Sequence, residues 1–386
     1  MDYKEKFAAI RPFEPEELPA AYDRILSEEQ FVKVLDFFYP GVPVDAIRRK
    51  MYQCKTSLDF QLSFCYEFLA RLIERLCTSL DMDCTAVDVS RRYTFVSNHR
   101  DIVIDSAFLD KLLVDSGFKT TCEIAIGDNL LSLPWVVDVV RINKSFIVRR
   151  GLQPREMLLS SKLMAEYMHY VINVKHDNIW IAQREGRAKD SDDRTQSAIL
   201  KMMTMAGEGS AVARLKDLHI VPLAISYEYD PCDYLKAREF QLKRDNKGWK
   251  KSAADDVMSM RTGVMGYKGR VHYHCAPCID DYLAALSPDI PKTQIHDTVA
   301  AHIDREIHRN YRLYPNNYVA LDALDGKADH ADKYTDDDKQ RFEKYLAEQI
   351  AKIDDVPNKD EDYLRERMLT MYANPARNKL RTENEK

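Results

Sequence analysis

The spacing of apolar residues divides the chain into three regions. Residues 1–88 have a helical pattern, and between residues 58 and 80 apolar side chains recur every three or four positions. Phe60, Phe64 and Phe68 add a second apolar stripe to this segment. A helix with two apolar sides lies either between the core and a neighbouring helix or between the core and a lipid surface. The sequence leaves both alternatives open.

From about residue 90 to residue 230, short apolar runs alternate with helical patterns. The runs predicted as strands are 93–96, 123–126, 145–148, 179–182 and 220–225. The helices predicted between them are 103–116, 155–174 and 197–206. This alternation predicts an α/β fold with a mostly parallel sheet flanked by helices. Such sheets carry their binding sites at the carboxyl ends of the strands.

The segment 231–265 is rich in charges of both signs, and 266–274 has the pattern of a final strand. The charged segment is either a solvated helical insertion or a basic platform for anionic head groups. After Pro291 the pattern becomes helical again, with one helix capped by Thr335 and another at 360–373, which Pro375 is expected to end.

Three regions are therefore predicted. They are a helical N-terminal region (1–88), an α/β domain (89–290) that includes the charged insertion (231–265), and a helical C-terminal region (291–386).

Composition narrows the class of protein. The chain has 57 Lys and Arg residues against 62 Asp and Glu residues, a net charge of −5, which does not fit a nucleic-acid binder. No apolar stretch follows a basic start at the N-terminus, so no signal peptide is predicted. The longest apolar passage, 129–137, is well short of the roughly 20 residues of a membrane-spanning helix. We therefore expect a cytoplasmic protein. The segment 124–140 suits a groove for an apolar chain or a shallow membrane wedge, and equally a helix at the edge of the sheet.

The eight cysteines are too sparse and irregular for a disulfide framework. His272, His274, Cys275 and Cys278 include residue types that bind zinc. They are too close together along one strand and turn for all four to converge on one ion. No metal is expected.

A histidine with two aspartates follows the first predicted strand of the α/β region. Asp101 is placed to cap the next helix, through a backbone N–H. Asp105 falls in the first turn of that helix, where side chains lean back toward the N-terminus, so its carboxylate can reach the His99 imidazole. His99 would then be a base oriented by Asp105. The alternative is a capped turn with no chemical role.

Basic and polar residues follow three other strands of the predicted sheet. Arg149 and Arg150 end one strand, where guanidinium groups suit a phosphate or carboxylate. A charged turn after the next strand contains Glu185, Gly186 and Arg187, and Ser191 and Arg194 follow this turn. Pro222 begins a fourth block of residues, in the predicted strand 220–225.

Taken in order, these blocks resemble the glycerolipid acyltransferase superfamily, which includes the glycerol-3-phosphate and 1-acylglycerol-3-phosphate acyltransferases. The family's His-x4-Asp motif corresponds to His99 and Asp105, and its Phe-Ile-Arg-Arg block to Phe146, Ile147, Arg149 and Arg150. The Glu-Gly-x-Arg-Ser block corresponds to Glu185 and Gly186, and the Val-Pro block to Pro222, Tyr227 and Glu228. The resemblance covers residues 90 to 275, and it implies a glycerol-3-phosphate acyltransferase-like fold.

The chain departs from the family pattern at three points. Five residues, and not four, separate His99 from Asp105, which keeps Asp101 open as a partner of His99. Lys144 stands where the family has a glycine. Arg187 follows Gly186 directly, so the basic residue that contacts the acceptor differs from the family's or is displaced.

The resemblance implies transfer of a fatty acyl group from acyl-CoA or acyl carrier protein to a hydroxyl of glycerol-3-phosphate or a lysophospholipid. His99 would be the base and Asp105 its orienting partner, without a cofactor. The residues implied in binding the anionic acceptor are Arg149, Arg150, Glu185, Gly186, Arg187, Ser191, Arg194 and Pro222.

The expected location is peripheral, on the inner face of the cell membrane, with the lipid surface as a partner. Two alternatives stay open. One is an acyltransferase that acts on an amino acid or an acylated amino acid, and the other is an inactive lipid-binding scaffold.

Overall fold

The structure is a computed structural model that describes residues 3–131 and 133–384. A seven-stranded sheet lies at its centre. The strands are β1 (Cys77–Asp83), β2 (Thr94–Ser97), β3 (Cys122–Gly127), β4 (Ser145–Val148), β5 (Asn178–Ala182), β6 (Ile220–Tyr227) and β7 (Gly269–Cys275). All six strands predicted from the pattern are present, with ends shifted by three residues at most.

The strand order is β1-β7-β6-β2-β5-β3-β4. Every neighbouring pair is parallel except β6 and β7, which are antiparallel. The prediction of a mostly parallel sheet flanked by helices is confirmed. Because β2 lies between β5 and β6, the turn that follows β2 is central at the carboxyl edge of the sheet.

Eighteen α-helices surround the sheet within the residues that the structure describes. Those before β2 are α1 (Tyr3–Lys6), α2 (Leu18–Leu26), α3 (Glu29–Phe38), α4 (Val44–Gln53), α5 (Ser57–Phe60) and α6 (Tyr66–Leu76). Those between β2 and β6 are α7 (Ile104–Asp115), α8 (Pro134–Ile142), α9 (Pro154–Tyr170), α10 (Ser197–Met203) and α11 (Ala211–Lys216). The others are α12 (Asp233–Asp245), α13 (Ala253–Met265), α14 (Asp280–Ala284), α15 (Ile295–Arg309), α16 (Pro315–Asp325), α17 (Asp336–Ala351) and α18 (Glu361–Asn384).

Alternate residues of the strands form two apolar cores on opposite faces of the sheet. Val96 and Ile181 face a core completed by α9, α10 and α15. Phe95 and Trp180 face a second core completed by α6 and α7. Both faces are covered, as expected for strands of a parallel sheet.

The N-terminal region is not entirely helical. The prediction of a helical region through residue 88 is wrong for residues 77–83, because the chain passes directly from α6 into β1, which pairs with β7. Tertiary pairing at the sheet edge decides this segment. Its polar residues give no apolar run that would predict a strand.

Protein covers most of both apolar stripes of the segment 58–80, while Leu62 is 41% exposed. Leu69, Leu72 and Leu76 pack in the sheet core. Phe60 and Phe64 pack in a separate cluster with the N-terminal helices. The observed arrangement is therefore the first alternative, a helix between the core and its neighbours.

The segment 124–140 contains most of β3 and most of α8, with Ser132 outside the described residues. Trp135 of α8 lies 5.7 Å from the Phe31 ring, and Arg24 forms an ion pair with Asp138 at 2.8 Å. This corresponds to a helix at the sheet edge, packed against the N-terminal helices. Among the described residues, no helix is long and apolar enough to cross a membrane.

The charged insertion forms α12 and α13 and is packed against the C-terminal helices. Asp233 of α12 is fully buried and accepts hydrogen bonds of 2.7 Å from the Tyr345 and Tyr372 hydroxyls. The expected end of the last helix at Pro375 is wrong, because α18 continues through it. Ala376, Asn378 and Thr382, which follow Pro375, are buried, and this packing offsets the cost of proline within a helix.

Candidate functional site

The turn after β2 brings His99 and Asp105 together at the carboxyl edge of the sheet. His99 Nδ1 lies 2.8 Å from Asp105 Oδ2. The His99 side chain is 13% exposed and the Asp105 side chain 0%. The extra residue between them is accommodated without loss of this contact. Because Nδ1 faces a carboxylate, Nε2 is the nitrogen that can accept a proton from another group.

Several further donors fix the Asp105 carboxylate. Its Oδ2 accepts the backbone N–H groups of Arg100 (2.6 Å) and Asp101 (3.0 Å), and its Oδ1 accepts the Tyr227 hydroxyl (2.9 Å). Burial alone would raise the pKa of Asp105, but the His99 hydrogen bond and charge and the backbone donors lower it. A buried carboxylate held in its charged form can orient an imidazole and stabilise its protonated state.

Asp101 caps the start of α7. Its Oδ1 accepts the N–H groups of Val103 and Ile104, each at 2.9 Å. Its Oδ2 is buried and has no hydrogen-bond partner among the described residues. It lies against α13, where a Cβ on Gly263 would be 1.8 Å from it. Of the two aspartates, Asp105 therefore bonds to His99 and Asp101 caps the helix.

The neighbouring strands hold the histidine from two sides. The Trp180 ring of β5 meets the His99 ring edge to face at 5.4 Å, and its Nε1 donates to Ser97 Oγ at 3.0 Å. The Asn98 side chain exchanges two hydrogen bonds with the backbone of Ile225 in β6. The sequence pattern does not indicate Trp180 as a site residue, because only the strand order of the sheet places it beside His99.

Arg100, the residue after His99, is anchored by partners far along the chain. Its buried guanidinium forms an ion pair with Asp193 at 2.7 Å and lies 5.7 Å from the Tyr311 ring centre. The Tyr311 hydroxyl donates to the same Asp193 at 2.6 Å. Lys236 of α12 donates to the Arg100 carbonyl at 3.2 Å. The segments beyond β5 thus hold the turn that contains His99.

The two arginines of the Phe-Ile-Arg-Arg block, which follow β4, differ in their contacts. Arg149 is exposed, whereas Arg150 forms an ion pair with Glu185 at 2.9 Å and so joins the ends of β4 and β5. Lys144 has a φ of 57°, the left-handed conformation that favours glycine. Its ammonium group is buried against Asp177 at 2.8 Å. At the position where the family has a glycine, the backbone therefore has a conformation typical of glycine, although the residue is a lysine.

The residues that correspond to the Glu-Gly-x-Arg-Ser block form the turn after β5. Gly186 has a φ of +67° and is exposed, and Ser191 is buried with a φ of 57°. Arg187 is half-buried, and its Nη1 has no hydrogen-bond partner in the described part of the chain. Arg194 contacts Asp192 at 3.0 Å and Asn378 of α18 at 3.4 Å. Arg187 is therefore better placed than Arg194 to meet an anion.

Pro222 lies inside the sheet. It is buried in β6 opposite Val96, and its carbonyl accepts the Ala276 N–H at 2.9 Å. Pro222 of the Val-Pro block therefore contributes to the structure of the sheet.

The two histidines of β7 lie on one side of that strand. His272 bonds to Asp81 at 2.5 Å, and His274 lies 3.7 Å from Asp83. Burial lowers the pKa of both histidines. Each histidine is thus paired with an aspartate of β1, across the edge of the sheet.

One comparison with known proteins, that with family models, matches the region of this site. A family model described as Acyltransferase matches residues 83–226, from the last residue of β1 into β6. Among solved structures, the chain is similar to the 1-acyl-sn-glycerophosphate (LPA) acyltransferase PlsC from Thermotoga maritima. The match has 12% identity and a TM-score of 0.35, and it covers 75% of this chain and 95% of that chain. No curated protein sequence matches this chain.

Proposed function

Because the chain belongs to the glycerolipid acyltransferase superfamily and is an O-acyltransferase, we propose that His99 and Asp105 carry out its acyl transfer. The donor would be a fatty acyl thioester of coenzyme A or acyl carrier protein. The acceptor would be a hydroxyl of glycerol-3-phosphate or of a lysophospholipid. The observation that carries this proposal is the 2.8 Å contact between His99 Nδ1 and the buried Asp105 carboxylate.

The reaction follows from the geometry of this pair. His99 Nε2 would remove the acceptor's hydroxyl proton as the oxygen attacks the thioester carbonyl carbon. Asp105, held by Tyr227 and by backbone N–H groups, would stabilise the imidazolium that forms. When the tetrahedral intermediate collapses, the C–S bond breaks and the imidazolium returns the proton to the leaving thiolate. The products are an ester and a free thiol, and the base is regenerated.

Acceptor binding would draw on basic residues at the same edge of the sheet. Arg149 is exposed at the end of β4, and Arg187 has a buried nitrogen atom without a hydrogen-bond partner among the described residues. Each suits a phosphate or carboxylate. Arg150 would act through its ion pair with Glu185, by fixing the two loops relative to each other. Holding the hydroxyl in attack geometry is the main contribution expected of these residues.

An acceptor panel tests the proposal. Purified protein is incubated with labelled acyl-CoA or with carrier protein bearing a labelled acyl group, and with glycerol-3-phosphate, 1-acylglycerol-3-phosphate or N-(3-hydroxyacyl)glycine. We expect transfer to one of the two phosphate-bearing acceptors, dependent on enzyme concentration. Transfer to N-(3-hydroxyacyl)glycine alone would favour the amino-acid alternative and would contradict the glycerolipid acceptor. Absence of transfer to every acceptor would contradict the catalytic assignment.

We further propose that the protein works on the inner face of the cell membrane, where its acyl acceptors or products lie. An apolar patch at the start of α9 supports this role. Met157, Leu158 and Leu159, at the start of α9, are 53%, 60% and 60% exposed. They follow the end of β4 closely in the chain, and Arg149 and Arg155 are exposed beside them in sequence. Apolar side chains flanked by cations suit an anionic lipid surface.

Replacing Met157, Leu158 and Leu159 together with serine is expected to reduce vesicle binding at least fivefold. Each large apolar side chain contributes up to about 1.5–3 kcal/mol when fully buried, so the loss should be measurable. The measurement is co-sedimentation with vesicles of phosphatidylglycerol and phosphatidylcholine. Phe37→Ser, at an apolar residue that is 61% exposed in α3, is the control and should leave binding unchanged. Equal sedimentation of the triple variant and the wild type would contradict this docking surface.

A further inference from the structure

A cavity of about 270 Å³ lies beside the proposed acceptor loop, and the family motifs do not account for it. Its walls come from the turn after β5, from both helices of the charged insertion, and from residues 352–355 between α17 and α18. Insertion and C-terminal region together therefore enclose a space at the carboxyl edge of the sheet. We refer to it as the insertion cavity.

The lining of the insertion cavity contacts the turn that carries His99. Lys236 lines the cavity and also donates to the carbonyl of Arg100, the residue after His99, at 3.2 Å. Ser259 of α13 lines it too, one helical turn before the Gly263 that packs against Asp101. A group bound in the cavity would thus lie close to the proposed catalytic turn.

The charged lining of the cavity favours an anion. Basic side chains outnumber acidic ones, and most of the acidic ones are already engaged by cations of the same lining. The six basic residues are Arg187, Lys189, Lys236, Arg238, Lys251 and Lys352, against four acidic ones. Among the acidic residues, Glu239 contacts Lys189, and Asp255 and Asp355 contact Arg238. The lining therefore has an excess of positive charge.

Two of these cations are the most available to a ligand. Lys236 and Lys251 form ion pairs with acidic residues outside the lining, Asp230 and Asp256. Arg187 and Lys352 form no ion pair with any of the described residues. An anion in the cavity would thus meet these two side chains without displacing an acidic partner.

The environments of Arg187 and of the neighbouring Lys189 both favour a bound negative group. The Arg187 Nη1 is buried and lacks a hydrogen-bond partner among residues 3–131 and 133–384. Burial lowers the pKa of Lys189 to about 8; its hydrogen bond to Glu239 opposes this shift, and the charges of Lys243 and Lys251 add to it. A bound anion would satisfy the arginine and stabilise the charged lysine.

Aromatic and apolar side chains complete the walls. Tyr234, Trp249 and Met258 line the cavity, and Lys352 lies 5.5 Å from the Tyr234 ring centre. The site therefore combines cations with flat apolar surfaces, which suits an organic phosphate better than a free inorganic ion.

We propose that the insertion cavity binds a phosphate-bearing group of one of the two substrates, through Arg187 and Lys352 with Trp249 as an apolar wall. The identity of the ligand rests on the proposed function, since both a phosphorylated acceptor and a coenzyme A donor carry phosphate. The binding site itself is built largely from the insertion and the C-terminal region, which gives these additions a role in substrate recognition.

Calorimetric titration with two probes tests the cavity. Adenosine 3′,5′-bisphosphate stands for the nucleotide end of coenzyme A, and glycerol-3-phosphate stands for the acceptor. We expect at least one probe to bind the wild type, and to bind at least tenfold more weakly to Arg187→Gln/Lys352→Met. Lys352→Met alone, at an exposed residue that should not disturb folding, is expected to weaken binding by about threefold or more.

Lys250→Met is the matched control, because Lys250 is an exposed insertion lysine outside the cavity lining. It should leave both affinities within twofold. Loss of nucleotide binding assigns the cavity to the donor, and loss of glycerol-3-phosphate binding assigns it to the acceptor. The proposal is overturned if neither probe binds the wild type, or if both bind the variants unchanged. Binding is measured without turnover, so absence of acyl transfer would contradict the proposed function alone.

Discussion

Replacing His99 with alanine is expected to reduce acyl transfer by about 10²- to 10⁴-fold, the range over which a positioned base accelerates proton transfer. The variant should remain folded, since the His99 side chain is partly exposed and Asp105 keeps its Tyr227 and backbone donors. The measurement is kcat with the acceptor that is active in the panel, together with a thermal melt. Full activity in the variant would show that another residue is the base.

Two aspartate variants complete this experiment. Asp105→Asn removes the charge that would stabilise the imidazolium, and we expect it to lower kcat by about 10²-fold or more. Asp101→Asn keeps an oxygen for the Val103 and Ile104 N–H groups and should change kcat by less than about fivefold. The reverse order of effects would mean that Asp101 is the functional partner of His99.

Removing the Asp193 carboxylate is expected to produce the largest loss of stability. Asp193→Ala leaves the Arg100 guanidinium buried without its counter-charge, which costs about 3–5 kcal/mol for a pair of this kind. Burial alone would lower the pKa of Arg100, but the negative charges of Asp193 and Asp230 raise it, so the arginine stays charged. The free energy of unfolding is measured by urea titration.

A double variant separates the contribution of the ion pair to stability from the contribution of side-chain packing. Arg100→Met combined with Asp193→Leu replaces both charges by apolar side chains of similar length, and we expect it to recover most of the stability lost in Asp193→Ala. Because Arg100 follows His99, we also expect Asp193→Ala to lower kcat. A stability loss below about 1 kcal/mol in Asp193→Ala would contradict the anchoring role of the pair.

Local patterns in the sequence are sufficient to predict most of the sheet and the His99–Asp105 contact. β-branched and aromatic runs such as that of β2 predict buried strands, and their carboxyl ends must meet at one edge. The contact itself follows from helix geometry, because a side chain in the first turn leans toward the residues before it. These properties belong to a few neighbouring residues, so they can be read without tertiary information.

Other features depend on pairs far apart in the chain. Lys236 donates a hydrogen bond to the carbonyl of Arg100, which is 136 positions away in the sequence. No local sequence pattern predicts such a hydrogen bond. β1 cannot be predicted because no glycine or proline separates it from α6 and because its pairing with β7 stabilises a largely polar segment. α18 passes Pro375 since several residues beyond it are buried by their neighbours. In each case tertiary contacts override the local preference.

The pairing of β1 with β7 affects how this protein can be shortened. A chain that begins at residue 89 would lack Cys77–Asp83, and Gly269–Cys275 would become an edge strand with one side of its backbone unpaired. Such an edge is a template for a strand from a second copy. Fragments intended for crystallisation or domain mapping should therefore start before α6. Self-association of a shorter fragment would reflect the missing strand and would not indicate the oligomeric state of the full chain.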